Sequence, residues 1–208
     1  MNHPFKGTGV AVITPFHSYG TIDFNALEDV LNHIISGGVE FVLCLGTTSE
    51  SATLSKDEKS AVTNFFVEIV NKRVPIMLGI GGNNTQEVIN SIKSTDFDGI
   101  ESILSVAPYY NKPGQKGLYY HFKNIASASP VPVVLYNVPS RTNVNIKSQT
   151  TLRLAHEMKN IIGIKEASGD LQQIMQIIKN KPKDFTVLSG DDAITLPMLT
   201  IGAEGVIS

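Results

Sequence analysis

The chain has 208 residues, of which 42% are hydrophobic and 17% are charged, and its formal net charge is -2. This length and composition are typical of one globular domain with a sizeable core. The sequence contains no run of basic residues and no apolar stretch long enough to span a bilayer, so we expect neither nucleic acid nor a membrane as partner.

Short apolar runs alternate with amphipathic segments along the whole chain. Continuous apolar runs favour parallel strands that are covered on both faces. The candidate strands are 9–16, 41–46, 75–81, 102–108, 131–139, 161–167, 185–190 and 205–208. Between them, apolar residues recur at helical spacing. The candidate helices are 24–35, 55–70, one that opens at 84–87, 114–128, 147–158, 170–179 and 191–201.

Eight strands with one helix between each pair predict an α/β fold, the TIM (β/α)8 barrel, because such crossovers produce a parallel sheet. An open doubly wound sheet is the alternative. No linker interrupts the pattern, so we expect residues 1–208 to form a single barrel domain. The eighth strand ends the sequence at Ser208 without a helix to cover it. We therefore expect a chain that is truncated, or disordered, beyond this residue.

Lys165 is the most informative residue, because it ends the apolar run 161–164. Burial of an ammonium group lowers its pKa, and a lysine with a lowered pKa is a nucleophile that forms Schiff bases with carbonyl compounds. Alternatively, Lys165 marks the strand end and either points to solvent or pairs with Glu166. The local sequence leaves both interpretations open.

Other polar residues follow the strands, and the chemistry of a barrel lies at the carboxyl ends of its strands. Tyr136 ends the fifth strand and can act as general acid and base beside Lys165. Arg141 can bind a carboxylate with two parallel hydrogen bonds, or it is a surface arginine. Thr47 and Thr48 follow the second strand beside a glycine and can hold a carboxylate or phosphate, or they form an ordinary turn.

Two further pairs of polar residues follow strands. Tyr109 and Tyr110 form a hydrogen-bonding platform or an oligomer contact, or they pack at the barrel mouth. Asp191 and Asp192 form a metal or acid–base dyad, or they cap a helix. Capping is the favoured interpretation because the pair stands at a predicted helix start.

Metal and cofactor signals are weak. None of the histidines forms a pair at ligand spacing, so we expect no metal site. They are His3, His17, His33, His121 and His156. The glycine-rich stretch 79–84 lacks the dinucleotide-binding pattern. The single Cys44 is expected to be a buried apolar residue. The amino terminus lacks an apolar signal core, so we expect a cytoplasmic protein.

Taken together, the strand-end motifs resemble those of the dihydrodipicolinate synthase / N-acetylneuraminate lyase family. The motifs are GTTSES at 46–51, YYN at 109–111, YNVPSRT at 136–142, GIKEASGD at 163–170, SGDD at 189–192 and GVIS at 205–208. The similarity runs from Phe5 to Ser208. It implies a class I aldolase-type barrel without a cofactor, in which Lys165 forms a Schiff base with pyruvate.

The resemblance also implies roles for individual residues. The implied catalytic residues are Lys165, Tyr136, Thr47 and Tyr110. The implied substrate-binding residues are Thr48, Arg141, Gly190 and Ile207. Tyr136 would donate and accept the proton, Thr48 would hold the pyruvate carboxylate, and Gly190 and Ile207 would border the pyruvate. Tyr110 would reach in from a neighbouring subunit, which implies a homo-oligomer, a dimer of dimers.

The acceptor distinguishes the branches of this family. Arg141 and the KEAS stretch at 165–168 are similar to the synthase branch, in which the arginine binds the carboxylate of L-aspartate 4-semialdehyde for lysine and diaminopimelate biosynthesis. The alternatives are an N-acetylneuraminate lyase, another pyruvate-dependent keto-sugar-acid aldolase, or a non-catalytic barrel that binds a keto acid. The set of Thr47, Tyr136 and Lys165 argues against the non-catalytic alternative.

The resemblance further implies an allosteric lysine site. Its candidate residues are Ser51, Ala52, Lys56, Lys59, Asn83, Glu87 and Tyr109. Lys56 and Lys59 occupy positions where feedback-inhibited members often carry histidine, so we predict weak or absent inhibition by lysine. Ser49 stands where the family more often has glycine, and we expect a slightly altered turn there.

Overall fold

The computed structural model describes residues 4–208 as a closed barrel of eight parallel strands. Each strand pairs with the next along the chain, and β8 pairs with β1. The strands are β1 (Gly7–Ala11), β2 (Phe41–Cys44), β3 (Ile76–Gly79), β4 (Ser102–Val106), β5 (Val133–Asn137), β6 (Ile161–Glu166), β7 (Thr186–Ser189) and β8 (Gly205–Ile207). The predicted barrel is confirmed, and the alternative of an open sheet is wrong.

Helices connect the strands. They are α1 (Phe24–Ser36), α2 (Lys56–Val70), α3 (Thr85–Ser94), α4 (Gln115–Ala128), α5 (Pro139–Thr142), α6 (Ser148–Glu157), α7 (Leu171–Asn180) and α8 (Thr195–Thr200). Side-chain caps fix several of the starts, as at α2, where Ser55 and Glu58 form a capping box. No helix within residues 4–208 is both long enough and apolar enough to cross a membrane.

Two helical segments differ from the sequence expectation. The predicted helix at 191–201 is divided into a short 3-10 helix, Asp192–Ile194, and α8. Pro197 explains the break, because its ring lacks an N–H and clashes with the carbonyl four residues before it. The short helix α5 was not predicted; it begins at Pro139, a favoured first helical residue.

The first strand is also displaced from its predicted position. It spans Gly7–Ala11 rather than 9–16. The Val12 amide still donates to the Leu43 carbonyl, but the run then meets Pro15, which has no N–H to donate to a sheet. The apolar character of the run therefore continues beyond the hydrogen-bonded ladder.

The core has an inner and an outer layer, because successive strand residues point to opposite faces of the sheet. Inside the barrel, an apolar cluster includes Leu43, Met77 and Leu104. Outside it, strand residues such as Val42 and Cys44 pack with the helices. Cys44 is fully buried, and burial raises the pKa of its thiol. The predicted role as a buried apolar residue is confirmed.

The barrel closes at a seam between β8 and β1. Gly7 is paired with Gly205. A Cβ atom on Gly205 would lie 2.1 Å from the Gly7 carbonyl oxygen, so only glycine allows this approach. The seam therefore depends on a residue without a side chain.

Candidate active site

Lys165 lies near the carboxyl end of β6 and points into the barrel. It is paired in register with Tyr136 of β5, and its Nζ lies 4.8 Å from the centroid of the tyrosine ring. Only 6% of Lys165 is exposed. The alternative in which this lysine points to solvent is therefore wrong.

The environment of Lys165 favours the neutral amine. Its pKa is lowered from 10.5 to about 8: burial lowers the pKa most, the Asp192 carboxylate opposes this effect, and the positive charge of Arg141 adds to it. An amine with such a pKa is partly unprotonated near neutral pH, and the unprotonated form is the one that attacks a carbonyl carbon.

Gly190 and Ile207 both lie at the interior of the barrel, and their predicted role in bordering the pyruvate stays a prediction. Gly190 follows β7, and a Cβ atom there would lie 2.7 Å from Cε of Lys165 and 2.8 Å from its Cγ. Ile207 of β8 belongs to the apolar cluster inside the barrel, which also contains Tyr136. The glycine leaves space for the lysine stem, and the isoleucine contributes an apolar wall.

The structure brings Thr47 to Tyr136. Burial raises the pKa of the Tyr136 phenol, whereas a hydrogen bond with the Thr47 side chain and the charge of Arg141 lower it. The tyrosine on an apolar strand thus has the hydroxyl partner that it requires. Phenol and threonine hydroxyl form the start of a path along which a proton can move.

The loop after β2 is held by hydrogen bonds of Ser49. Its hydroxyl donates to the Gly46 carbonyl at 2.7 Å, and its own carbonyl accepts from the Thr14 hydroxyl at 2.8 Å. Ser49 is buried, whereas Thr47 and Thr48 are exposed. Ser49 therefore helps to fix the turn that presents the two threonines.

Arg141 lies on α5, directly after β5. Its side chain is exposed, yet its charge lowers the pKa of both Tyr136 and Lys165. The Thr142 hydroxyl fixes this short helix by donating to the carbonyls of Val138 and Val144, at 3.1 and 2.9 Å. A cation at the rim of the barrel can bind an anionic substrate group.

Tyr110 lies apart from this site. It is 89% exposed and has a positive φ of 70°. It borders a surface hollow together with Asn83 and Asn111. Its proposed role in a neighbouring subunit stays a prediction.

Several residues of the predicted allosteric set share one cleft. Ser51, Lys56, Lys59 and Glu87 line a cleft of about 940 Å³ that also reaches Tyr136. Asn83 lies in the hollow beside Tyr110 instead. Ala52 and Tyr109 are exposed. Four of the seven predicted residues are therefore together, and their allosteric role stays a prediction.

The two aspartates after β7 have different contacts. Asp191 accepts a hydrogen bond from the Ala193 amide at 3.1 Å, so the predicted helix cap is confirmed. Asp192 accepts from the Ser208 hydroxyl at 3.1 Å, and its charge raises the pKa of Lys165. Sequence reasoning missed this second effect, although the position at a strand end pointed to it.

Among residues 4–208, no three His, Cys, Asp or Glu residues cluster in a way that could hold a metal ion.

The sequence also did not reveal the environment of Glu166. It follows Lys165 in β6 but points to the opposite face of the sheet, where it is 0% exposed. Its carboxylate accepts hydrogen bonds from Asn137, Gln173 and Ser168. Burial raises its pKa to about 7, against the effect of these bonds. The alternative in which Glu166 pairs with Lys165 is wrong, and the period-two alternation of a strand was the signal that could have excluded it.

A closed (β/α)8 barrel with a buried amine of lowered pKa beside a tyrosine defines the class of Schiff-base-forming, class I aldolase-type enzymes. The model of the dihydrodipicolinate synthetase family matches residues 4–208, and the chain belongs to this family.

Individual relatives agree with this assignment. The chain is 56% identical over 204 residues to a 4-hydroxy-tetrahydrodipicolinate synthase of Flavobacterium psychrophilum, covering 98% of this chain and 70% of the relative. A crystal structure of dihydrodipicolinate synthase from Aquifex aeolicus superposes with a TM-score of 0.94 at 42% identity, covering 98% and 69% of the two chains. The lysine-bound enzyme from Cyanidioschyzon merolae superposes with a TM-score of 0.95 at 39% identity, covering 99% and 70%.

Proposed function

We propose that this chain is a cytoplasmic 4-hydroxy-tetrahydrodipicolinate synthase, which condenses pyruvate with L-aspartate 4-semialdehyde on the route to lysine and diaminopimelate. The observation that carries the proposal is the buried Lys165 amine, with its pKa near 8, in register with Tyr136. The relatives that match almost the whole chain at 46–56% identity include synthases of this name.

The first stage of the proposed reaction forms an enamine on Lys165. The amine attacks the ketone carbon of pyruvate, and water leaves as the imine forms. The imine withdraws electrons from the pyruvate methyl group, so a proton can leave that carbon. Tyr136 exchanges protons with Thr47 and is the proposed acid–base group. Thr48 and the backbone of its loop are the proposed ligands of the pyruvate carboxylate.

The second stage joins the two substrates. The enamine attacks the aldehyde carbon of L-aspartate 4-semialdehyde, whose carboxylate is held by Arg141 in this proposal. The amine of the condensed substrate then replaces Lys165 at the imine carbon. This transimination closes the ring and frees the lysine for another cycle.

The proposal includes a homo-oligomer, arranged as a dimer of dimers. Tyr110 supports it, because a tyrosine that is 89% exposed at a rim of the barrel is available to another copy. In this arrangement Tyr110 completes the proton relay of the neighbouring subunit. Sedimentation analysis of the protein and of its Tyr110→Phe variant, together with their activities, separates assembly from proton transfer.

The decisive experiment is borohydride reduction in the presence of pyruvate, followed by peptide mapping by mass spectrometry. We expect a reduced pyruvyl adduct on Lys165. The Lys165→Met protein is the matched control and should give no adduct. Folded protein without an adduct would contradict the enzymatic proposal and favour a barrel that only binds a keto acid.

The acceptor is tested separately. We expect rapid turnover with L-aspartate 4-semialdehyde and none with N-acetylmannosamine, because Arg141 offers a ligand for a carboxylate. Preference for N-acetylmannosamine would assign the chain to the sialic-acid branch instead.

A further inference from the structure

The carboxyl ends of β5 and β6 carry two residue pairs on opposite faces of the sheet. Tyr136 and Lys165 are paired in register and face the barrel interior. The next pair in the register is Asn137 with Glu166, and it faces the helices. We call Asn137 and Glu166 the outer pair. Each of its members directly follows one active-site residue in the sequence, Asn137 after Tyr136 and Glu166 after Lys165.

The outer pair is a direct and fully buried hydrogen bond. Nδ2 of Asn137 donates to Oε1 of Glu166 at 2.5 Å, and both residues are 0% exposed. The two strands are also joined by the Ala167 amide, which donates to the Asn137 carbonyl at 2.8 Å. A short hydrogen bond to a buried carboxylate resists separation of the strands more than a neutral bond does.

The same carboxylate anchors elements that lie around the site. Nε2 of Gln173, on α7, donates to Oε2 of Glu166 at 3.2 Å and to Oδ1 of Asn145 at 3.1 Å. The Ile146 amide donates to Oδ1 of Asn137 at 2.9 Å. Asn145 and Ile146 belong to the segment that directly follows α5, the short helix that carries Arg141.

We infer that Glu166 is a positioning residue for the reaction: its buried carboxylate, through Asn137, Asn145 and Gln173, fixes the Tyr136–Lys165 pair and the segment that carries Arg141. Glu166 does not reach the substrate, because it lies on the other side of the sheet. The inference rests on the proposed synthase function. It assigns Glu166 an indirect effect on the reaction, exerted through the positions of the residues that it binds.

Glu166→Gln is the sharpest variant, because it preserves the shape of the side chain and changes only its charge and its hydrogen bonding. The carboxylate accepts from both Asn137 and Gln173, whereas an amide has one oxygen and one NH2 group. In the variant, the NH2 group at position 166 therefore faces the NH2 group of either Asn137 or Gln173, and two donors meet without an acceptor. Rotation of the Asn137 amide by 180° does not relieve this contact, because Oδ1 of Asn137 would lose the hydrogen bond from the Ile146 amide. Rotation of the Gln173 amide only transfers the contact between donors to another pair of side chains.

The matched control is Glu204→Gln, at the opposite end of the barrel. The Glu204 carboxylate likewise accepts two hydrogen bonds, from Lys181 Nζ at 2.7 Å and from the Val187 amide at 2.9 Å. Glu204 precedes β8, far along the strands from the site, so its variant weakens an ion pair with Lys181 and a bond to the backbone without disturbing Tyr136 or Lys165.

The experiment compares the full chain, Glu166→Gln and Glu204→Gln by thermal unfolding, by the rate of borohydride-trapped adduct formation at saturating pyruvate, and by kcat and KM for both substrates. We expect Glu166→Gln to slow adduct formation by about tenfold or more, since small displacements of reacting groups are costly. The KM for L-aspartate 4-semialdehyde should rise as well. Glu204→Gln should lower the unfolding temperature and leave both rates unchanged.

The double variant Asn137→Asp with Glu166→Gln exchanges donor and acceptor and restores the bond between the strands, although Oδ1 of Asn145 loses the Asn137 amide as donor. We expect it to recover adduct formation relative to Glu166→Gln alone, which a non-specific loss of stability would not produce. Wild-type rates in folded Glu166→Gln, or equal losses in both single variants, would overturn the inference. Absence of an adduct in the wild-type protein would instead overturn the proposed function, so the two failures are distinguishable.

Discussion

Gly190 lies directly against the stem of Lys165. A Cβ atom at position 190 would approach Cε of the lysine to 2.7 Å, closer than non-bonded carbon atoms tolerate. The lysine side chain must pass this point to reach the interior of the barrel. The backbone of β7 therefore helps to determine where the amine lies.

The first prediction concerns this contact. Gly190→Ala should displace the Lys165 amine and lower kcat by about tenfold to a hundredfold, because the reacting atoms lose their alignment. The fold should persist, since Gly190 has no positive φ and the atoms nearest to the added Cβ belong to the flexible Lys165 side chain. Steady-state kinetics and circular dichroism check both parts. Full activity in Gly190→Ala would show that the lysine stem takes another path.

The second prediction is a pH dependence of imine formation. The neutral amine is the nucleophile, so the rate should rise with pH, with a midpoint near the Lys165 pKa of about 8. Initial rates of borohydride-trapped adduct at saturating pyruvate measure this midpoint. A rate that is independent of pH between 6 and 10 would contradict a titrating Lys165 nucleophile.

Two variants should move this midpoint in opposite directions. Arg141 lowers the Lys165 pKa and Asp192 raises it. Arg141→Met should therefore shift the midpoint upward, and Asp192→Asn should shift it downward. Shifts of the same sign in both variants would contradict the electrostatic arrangement of the site.

The third prediction is that the active-site lysine destabilises the fold. At pH 7, Lys165→Met should be inactive but more stable to unfolding by about 1–2 kcal/mol, because a buried charge is replaced by an apolar side chain. The folded pKa of Lys165, about 8, lies below its ordinary value of 10.5.

The sign of the accompanying pH effect follows from this depression of the pKa. Between pH 8 and 10.5 the unfolded chain holds the lysine proton and the folded chain does not, so the stability of the wild-type protein rises with pH. The stability difference between Lys165→Met and the wild-type protein should then change by up to about 3 kcal/mol across this range, so the advantage of the variant is lost and the sign of the difference reverses. Denaturant titrations at several pH values measure it, and a constant difference would refute the linkage.

The fourth prediction concerns the hydroxyl partner of Tyr136. Thr47→Val removes the hydrogen bond that lowers the Tyr136 pKa, so the phenol gives up its proton less readily and the phenolate that accepts a proton from carbon is less populated. Exchange of the pyruvate methyl protons with deuterium, followed by NMR, should slow by about tenfold to a hundredfold. Thr47→Ser keeps the hydroxyl and should retain most of the exchange; equal losses in both variants would indicate a packing effect.

The fifth prediction is weak or absent inhibition by lysine. The cleft beside Ser51 contains the ammonium groups of Lys56 and Lys59, which repel the ammonium groups of a lysine ligand. Activity should therefore change little across a lysine titration. The double variant Lys56→His and Lys59→His removes this repulsion at neutral pH and should become more sensitive. Strong inhibition of the unaltered protein would refute the prediction.

Much of the fold was predictable because local and global signals agree. Capped amphipathic segments alternate with apolar runs, and this alternation alone specifies a parallel sheet. The start of the chain was less predictable. Its apolar run continues to Phe16, but strand pairing ends at Ala11, and hydrophobicity does not report which backbone groups find partners.

The candidate site was predictable for residues that stand at strand ends with unusual chemistry. Lys165 and Tyr136 are conspicuous because they interrupt apolar runs. Glu166 was obscured by its neighbour, since adjacent residues of opposite charge suggest an ion pair. Its partner Asn137 lies on another strand, 29 residues earlier in the chain, and no local pattern predicts that the two side chains meet.

The glycine-lined seam between β1 and β8 also governs when the protein can become active during its synthesis. Most groups implicated in the chemistry lie between Thr47 and Asp192, yet the sheet that aligns them has two unpaired edges until Gly205 meets Gly7. This contact joins distant parts of the sequence, so its closure carries a large entropic barrier. On the ribosome, a chain that has not yet emerged past β8 presents open strand edges to chaperones and to other nascent chains. Catalytic competence should therefore arise late and abruptly, after the last strand has left the exit tunnel.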